Sequence, residues 1–254
     1  TRTVYSDFGI ILLGAIVERL AGQTLDEFLY ARVFGPLGMH DTRFNPVAGP
    51  TADDAADSAA LAAPADAAPP AREPDRHRIL NRIAPTERDT AFRKMHLRGV
   101  VHDENAYAMG GVAGHAGLFS SARDLAIFAQ FLLDGGRRGE LRILRPETIE
   151  LFTRRQDPRS SRALGWDTPA PGSSAGDYFS PRSFGHTGFT GTSIWIDPER
   201  DLFVVLLTNR VNPTRANQKH VPLRRAVHDA VQLAITDTPV RRREEDPRGR
   251  RPQD

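Results

Sequence analysis

The 254-residue sequence contains no cysteine, which excludes disulfides, thiolate nucleophiles and Cys-ligated zinc. An exported and a cytosolic protein can both lack it, so compartment stays open on this count. Lysine is almost absent: Lys94 and Lys219 are the only two, and every other basic residue is arginine. An excess of charge of either sign is missing as well. With 34 basic and 32 acidic residues the net charge is only +2, and nucleic acid is not an expected partner. No hydrophobic run is long enough for a bilayer. The longest, Phe8 to Val17, is interrupted by Glu18 and Arg19 and falls short of the ~20 residues a span needs. It reads as a buried core helix, so no membrane span is expected in this chain. The opening Thr-Arg-Thr-Val-Tyr has no methionine, charged n-region or apolar h-region. No signal peptide is visible, and the start reads as an internal boundary. Internal repeats, heptads and a phosphate-binding glycine loop are also lacking.

What is present is a chain with 39% hydrophobic residues, adequate for a core. Asp7 is placed to cap a helix whose apolar residues Phe8, Ile11, Leu12, Ala15, Ile16 and Leu20 recur at helical spacing until Gly22. A second helix is expected over Leu25 to Phe34, broken by Gly35-Pro36-Leu37-Gly38. From about Val47 the composition turns to Ala, Pro and Asp, and residues 47–78 read as a mobile insertion with too little bulky apolar surface to offset chain entropy. Gly110, Gly111, Gly114 and Gly117 crowd one short segment, which points to close backbone approaches or conformations that side chains forbid. Ser120 or Ser121 caps a helix through Leu125, Phe128, Phe131 and Leu132 that ends at Gly135-Gly136, and a short helix starts at Pro146. Thr192 to Ile196 and Leu202 to Leu207 are β-branched, apolar runs joined by a turn at Asp197 to Asp201, an antiparallel hairpin. An amphipathic helix over Arg224 to Ile235 is placed to cover one face of it. Helices, then strands, then a helix predict an α+β fold over residues 1–236, with residues 237–254 as a charged, disordered tail.

Two short elements carry chemical interest: Tyr5-Ser6-Asp7 at the mouth of the first helix, and His186-Thr187-Gly188 just before the hairpin. Together with the helix after Tyr5, the Gly110 to Ser121 run and the stretch Phe184 to Asn209, they resemble the serine β-lactamase-related family. That family includes class C β-lactamases, penicillin-binding peptidases and related esterases. Its members combine a Ser-x-x-Lys nucleophile motif, a Tyr/Ser-x-Asn motif and a Lys-Thr-Gly or His-Thr-Gly strand. The second and third stand here in the family's order, and the resemblance spans about residues 1–45 and 80–235. It implies a β-lactamase/transpeptidase-like fold: an antiparallel sheet with packed helices and a helical region, lacking its N-terminal part.

The resemblance also implies roles. Tyr5 would assist proton transfer to and from the nucleophile, and because a free phenol ionises near pH 10 it would need a cationic neighbour. His186 stands where lysine is commonest and would orient or protonate the reacting group, with a pH dependence that lysine would not show. Thr187 would offer its hydroxyl to substrate, Gly188 would let substrate approach the strand, and the Phe189 N–H would be half of an oxyanion hole. Asp7 replaces the usual asparagine and, when ionised, only accepts hydrogen bonds, so its role is divided between substrate contact and helix capping. His102 and His115, beside Asp103 and Glu104, match no common metal-ligand spacing. They rank second, as residues at a site rim with no defined role, and no metal or organic cofactor is expected.

The nucleophile is absent from the sequence. Ser-x-x-Lys needs serine three residues before lysine, and Ala91 and Ala216 occupy those positions. No Gly-x-Ser-x-Gly elbow replaces it. The expectation is therefore a fragment of a serine hydrolase that forms an acyl-enzyme on a β-lactam, cell-wall peptide or ester, inactive as the chain stands. The alternative is a non-catalytic module on the same fold that binds peptidoglycan or a protein. The family implies an extracytoplasmic location, periplasmic or secreted.

Overall fold

A computed structural model of the chain describes residues 4–47, 76–237 and 239–243. In chain order the elements are α1 (Asp7–Ala21), α2 (Leu25–Leu29), a π-helical turn (Tyr30–Phe34), α3 (Gly35–Leu37), β1 (Arg43–Phe44), α4 (Arg76–Asn81), β2 (Glu87–Asp89) and β3 (Met95–Leu97). There follow α5 (Glu104–Ala108), β4 (Leu118–Phe119), α6 (Ala122–Leu133), β5 (Arg137–Arg138), β6 (Leu141–Arg142), α7 (Pro146–Thr153), β7 (Phe184–Thr187), β8 (Ser193–Asp197), β9 (Leu202–Leu206) and α8 (His220–Leu233). Two compact units share them. One is drawn from Thr1–Tyr5, Leu29–Asp41 and Ser120–Asp254, the other from Ser6–Phe28 and Thr42–Phe119.

The first unit is organised on the antiparallel meander β7-β8-β9, in which Phe184 pairs with Ile196, His186 with Ile194 and Trp195 with Val204. Neighbouring residues of a strand face opposite sides. Ile196 and Phe184 accordingly join Phe34, Leu37, Met39, Phe131 and Leu132 in one cluster, while Trp195 and Val204 join Phe179, with Val231 of α8 against them. The central strand is thus covered on both faces, by α6 on one side and α8 on the other. This is why its sequence reads as a continuous apolar run rather than an alternation. Each fully buried large side chain contributes roughly 1.5–3 kcal/mol, and Trp195, Phe131 and Phe179 are among them. The β8-β9 turn is tied by buried Asp197, which accepts from the Ser180 hydroxyl at 2.6 Å and N–H at 2.9 Å and pairs with Arg200 at 3.2 Å. The hairpin, the helix capped by Ser121, the helix from Pro146 and the closing helix all stand where the sequence predicts them, within a few residues.

Gly35-Pro36 does not break the second helix. The Gly35 N–H donates to the Tyr30 carbonyl across the π turn, Pro36 enters in the first turn of α3, where a missing N–H costs least, and the helix stops at Gly38 (φ 71°). A Cβ at Gly35 would lie 2.9 Å from that carbonyl, so the tight turn itself selects glycine.

In the second unit, α1 is capped by Ser6, not Asp7. Ser6 is extended (φ −152°) and its hydroxyl accepts from the Phe8 N–H at 3.3 Å, while Asp7 is the first helical residue. Nor is α1 a buried core helix. Gly14 is its one fully buried residue, and Phe8, Leu13 and Leu20 are 66%, 54% and 83% exposed. The covered strip is narrow because it is made where the Gly110 to Gly117 segment crosses the helix. A Cβ on Gly14 would stand 3.2 Å from the Gly114 nitrogen, and a Cβ on Gly114 would collide with the Ile10 carbonyl. The glycine density therefore serves backbone-to-helix contact.

The Ala/Pro/Asp-rich stretch up to residue 75 lies outside the described residues, and helix α4 begins at Arg76. Of the C-terminal tail, Arg242 pairs with Asp177 at 3.0 Å and the Arg243 N–H bonds the Asp177 carbonyl at 2.9 Å. That much of the tail is held against the first unit. Among the described residues no single helix is long and apolar enough to cross a membrane.

Candidate active site

His186 lies on β7, half-buried, with its backbone paired to Ile194. Its Nδ1 is 2.9 Å from the Thr187 carbonyl, which can only accept, so Nδ1 carries the proton. Its Nε2 then presents a lone pair, and the Arg162 Nη1 donates to it at 3.1 Å. Burial, then the Arg162 charge, lower the His186 pKa below the usual imidazole value, against weaker opposing effects of the Thr187 carbonyl and Asp167. The imidazole is therefore held neutral. The fixed positive charge beside it is the Arg162 guanidinium.

Arg162 reaches this position through a short excursion of the chain. Arg162 and Asp167 form an antiparallel bridge, and Asp167 bridges in turn to Gly185 of β7 through hydrogen bonds of 2.8 and 2.9 Å. Gly165 (φ 81°) turns the loop, and Trp166 anchors it edge-on against Phe184 with ring centroids 5.1 Å apart. A Cβ at Gly185 would run into the Trp195 ring, so that glycine lets β7 pass close over the core. No motif or spacing in the sequence links Arg162 to His186, and sequence reasoning missed it.

Tyr5 completes the cluster. Its ring stacks near that of His186, with centroids 6.3 Å apart and planes at 28°, and the Arg162 Cζ stands 4.9 Å from the Tyr5 ring centroid. Arg162 is thus a cation near the Tyr5 ring as well as a donor to His186. Tyr5 remains 64% exposed, open to a reacting partner.

Thr187 ends β7 half-buried beside His186, and Gly188-Phe189 begin the turn into β8, with Phe189 58% exposed. A Cβ on Gly188 would meet the Thr192 hydroxyl, so the residue is small because of the turn's own packing as well as any ligand. Asp7, His102 and His115 belong to the other compact unit. Asp7 is exposed in the first turn of α1. His102, 9% exposed, meets Glu87 at 2.7 Å, and His115 meets Asp103, the cap of α5, at 2.9 Å with its side chain only 3% exposed. His102 is engaged in a buried pair and His115 in a part-buried one, so the ring of each is taken up by a carboxylate of its own unit. Among the described residues no three His, Asp or Glu side chains converge as a metal site.

The model of the family described as Beta-lactamase matches residues 1–229. A protein of Escherichia coli K12 named "Putative D-alanyl-D-alanine carboxypeptidase" is 34% identical over 240 residues, 87% of this chain and 48% of its own length. The protein of the same name from Salmonella gallinarum is 35% identical over 236 residues, again 87% of this chain and 48% of its own. The chain thus spans about half the length of the curated relatives it matches. Among solved structures, a β-lactamase from Mycobacterium bovis superposes with a TM-score of 0.56 at 22% identity, covering 92% of this chain and 64% of that one. The fold is α+β and β-lactamase/transpeptidase-like.

Proposed function

Because the chain belongs to the Beta-lactamase family, we propose that it carries the tyrosine and histidine part of a serine hydrolase active site that works through an acyl-enzyme. The observation that bears most weight is the Tyr5–Arg162–His186 cluster. A proton-transferring phenol, a fixed cation and a neutral imidazole meet at the end of the strand that the His-Thr-Gly motif marks. Tyr5 would take the proton from the attacking serine and hand it to the leaving nitrogen or oxygen, then repeat the exchange with water in deacylation. Thr187 would hold the substrate along β7, and the Phe189 N–H would donate to the oxygen that gains charge.

The serine and its lysine would come from protein outside residues 1–254. That placement is supported by the absence of Ser-x-x-Lys in the sequence and by the half-length match to the curated relatives. The same additional part would cover the exposed apolar residues of α1. The names of those relatives favour a cell-wall peptide ending in D-alanyl-D-alanine as substrate, with β-lactams as acylating mimics and an extracytoplasmic, wall-facing location. A second reading, a non-catalytic peptidoglycan- or protein-binding module, is favoured by the same missing motif.

One experiment separates the two readings. A fluorescent penicillin is incubated with the full-length protein, with its Tyr5→Phe variant and with residues 1–254 alone, and covalent label is read on a denaturing gel. The hydrolase reading expects label on the full-length protein, acylation slowed roughly 10²–10⁴-fold by Tyr5→Phe, and none on 1–254. Absence of label on the full-length protein, with retained binding to peptidoglycan, selects the module. Label on 1–254 alone overturns the placement of the nucleophile.

A further inference from the structure

The turn after the His-Thr-Gly motif is held by two buried arginines. Arg224, in the second turn of α8 and 7% exposed, donates from Nη2 to the Gly188 carbonyl and to the Thr192 carbonyl, both at 2.7 Å. Arg210, 8% exposed, donates from Nε to the Phe189 carbonyl at 2.8 Å and lays its Cζ 4.2 Å from the centroid of the Phe189 ring. The remaining carbonyls of the turn are also taken. Thr190 accepts from the Arg210 N–H at 2.9 Å, and Gly191 from the Thr208 hydroxyl at 2.7 Å. Every carbonyl from Gly188 to Thr192 is thus bonded, two of them by a guanidinium that pairs with no carboxylate among the described residues.

Burying a guanidinium without a carboxylate is costly. Burial, and then repulsion from Arg210, lower the Arg224 pKa from the ordinary arginine value. A structural bond to two carbonyls could be made by a neutral amide, so the charge calls for another reason.

The reason lies in the peptide group. The Gly188–Phe189 bond is trans, and in a planar trans peptide the C=O and the following N–H point in opposite directions. Anchoring the Gly188 oxygen on Arg224 therefore fixes the direction of the Phe189 N–H away from α8. The Gly188 N–H, in the preceding Thr187–Gly188 peptide, is itself spent on the Thr192 carbonyl at 2.8 Å, so the peptide groups on both sides of Gly188 are each held by a hydrogen bond. A cation on the carbonyl also draws electron density along the amide and makes its N–H a stronger donor.

We propose that Arg224 is a positioning residue for acyl transfer, aiming and polarising the Gly188–Phe189 peptide so that the Phe189 N–H stabilises the oxyanion, with Arg210 bracing the next carbonyl. The proposal rests on the hydrolase reading above. Its chemistry is electrostatic and non-covalent. Stabilisation of this kind acts on the transition state more than on bound substrate, so it separates kcat from KM.

The test uses the full-length protein and its Arg224→Gln, Arg224→Lys and Phe189→Pro variants. Steady-state hydrolysis of a D-alanyl-D-alanine peptide or a β-lactam and inhibition by a boronic acid, a tetrahedral mimic, are measured for each. The Phe189 amide shift is followed by NMR after ¹⁵N-phenylalanine labelling. Arg224→Gln is expected to lower kcat roughly 10–100-fold with KM within about twofold, to weaken boronate inhibition in parallel, and to move the Phe189 amide upfield. Arg224→Lys should recover part of each. If Phe189→Pro abolishes turnover while Arg224→Gln leaves kcat, boronate affinity and the amide shift as they were, the positioning role is overturned and the hydrolase reading stands. If Phe189→Pro folds with full kcat, the oxyanion role of its N–H falls and the positioning role with it; if the full-length protein neither hydrolyses nor is acylated, it is the hydrolase reading that falls, and the proposal with it. Loss of a cooperative melt in both Arg224 variants would show a purely structural residue and equally overturn the proposal.

Discussion

Arg162 Nη1 stands 3.1 Å from His186 Nε2, and the donor is the arginine. The imidazole proton sits on Nδ1, bonded to the Thr187 carbonyl. A histidine in this arrangement cannot protonate without turning its Nε2 from acceptor to donor against a guanidinium. Arg162→Met removes the donor and the charge together. The His186 pKa should then rise toward the ordinary value of 6.5, and only part of the way, because burial is the larger cause of its depression. Titration of the His186 ring by ¹H–¹⁵N NMR reads both the shift and the tautomer. An unchanged titration in a folded variant would leave burial as the whole cause.

His228 makes a prediction about stability against pH. It is fully buried, its Nδ1 donates to the Ser174 carbonyl at 2.6 Å, and burial lowers its pKa from 6.5. His186 is shifted the same way. A folded-state pKa below the unfolded one means that the unfolded chain binds protons first as pH falls. The stabilisation is complete above pH 6.5 and is lost as pH drops toward the folded pKa. Thermal melts should show Tm falling as pH drops below 6.5, a window that opens above the one in which paired carboxylates such as Asp177 titrate. His228→Gln should cost about 1–3 kcal/mol at pH 7 yet flatten the slope. A slope as steep as the parent's would assign the effect to other groups.

Gly114 and Gly9 form a matched pair for testing how the glycine run meets α1. A Cβ on Gly114 would collide with the Ile10 carbonyl, whereas one on Gly9 would meet nothing within 4 Å. Gly114→Ala is expected to destabilise by about 1–3 kcal/mol through overpacking. Gly9→Ala should stabilise by about 0.5–1 kcal/mol, because it removes the helix penalty of glycine without adding strain. Urea denaturation gives both values, and equal effects would show that the close crossing does not constrain the helix.

Periodicity and capping chemistry were sufficient for the α6 helix after Ser121, for the β8-β9 hairpin and for the helix that closes on it. Each is specified by residues within one or two turns of one another. The same local reasoning erred where the deciding contact was elsewhere. Asp7 and Ser6 are both capping residues by type, and backbone geometry chose Ser6. The apolar run of α1 reads as buried because hydrophobicity reports a preference for burial, while coverage depends on what packs against the helix, here Gly114 and Leu25 around Gly14.

The candidate site divides along the same line. Tyr5 and His186-Thr187-Gly188 were legible as motifs, because the chemistry they imply is carried by residue types at short spacing. Arg162 and Arg224 were not legible: each is one arginine among many, 24 residues before His186 and 36 after Gly188. The sequence by itself determined the order of elements, the local caps and turns, and which motif residues are present or lacking. Only the tertiary structure decided which arginine charges the Tyr5–His186 pair and which one holds the Gly188 carbonyl. Those choices rest on a bridge to Gly185 and on a helix docked against β9, contacts between distant segments that no local pattern encodes.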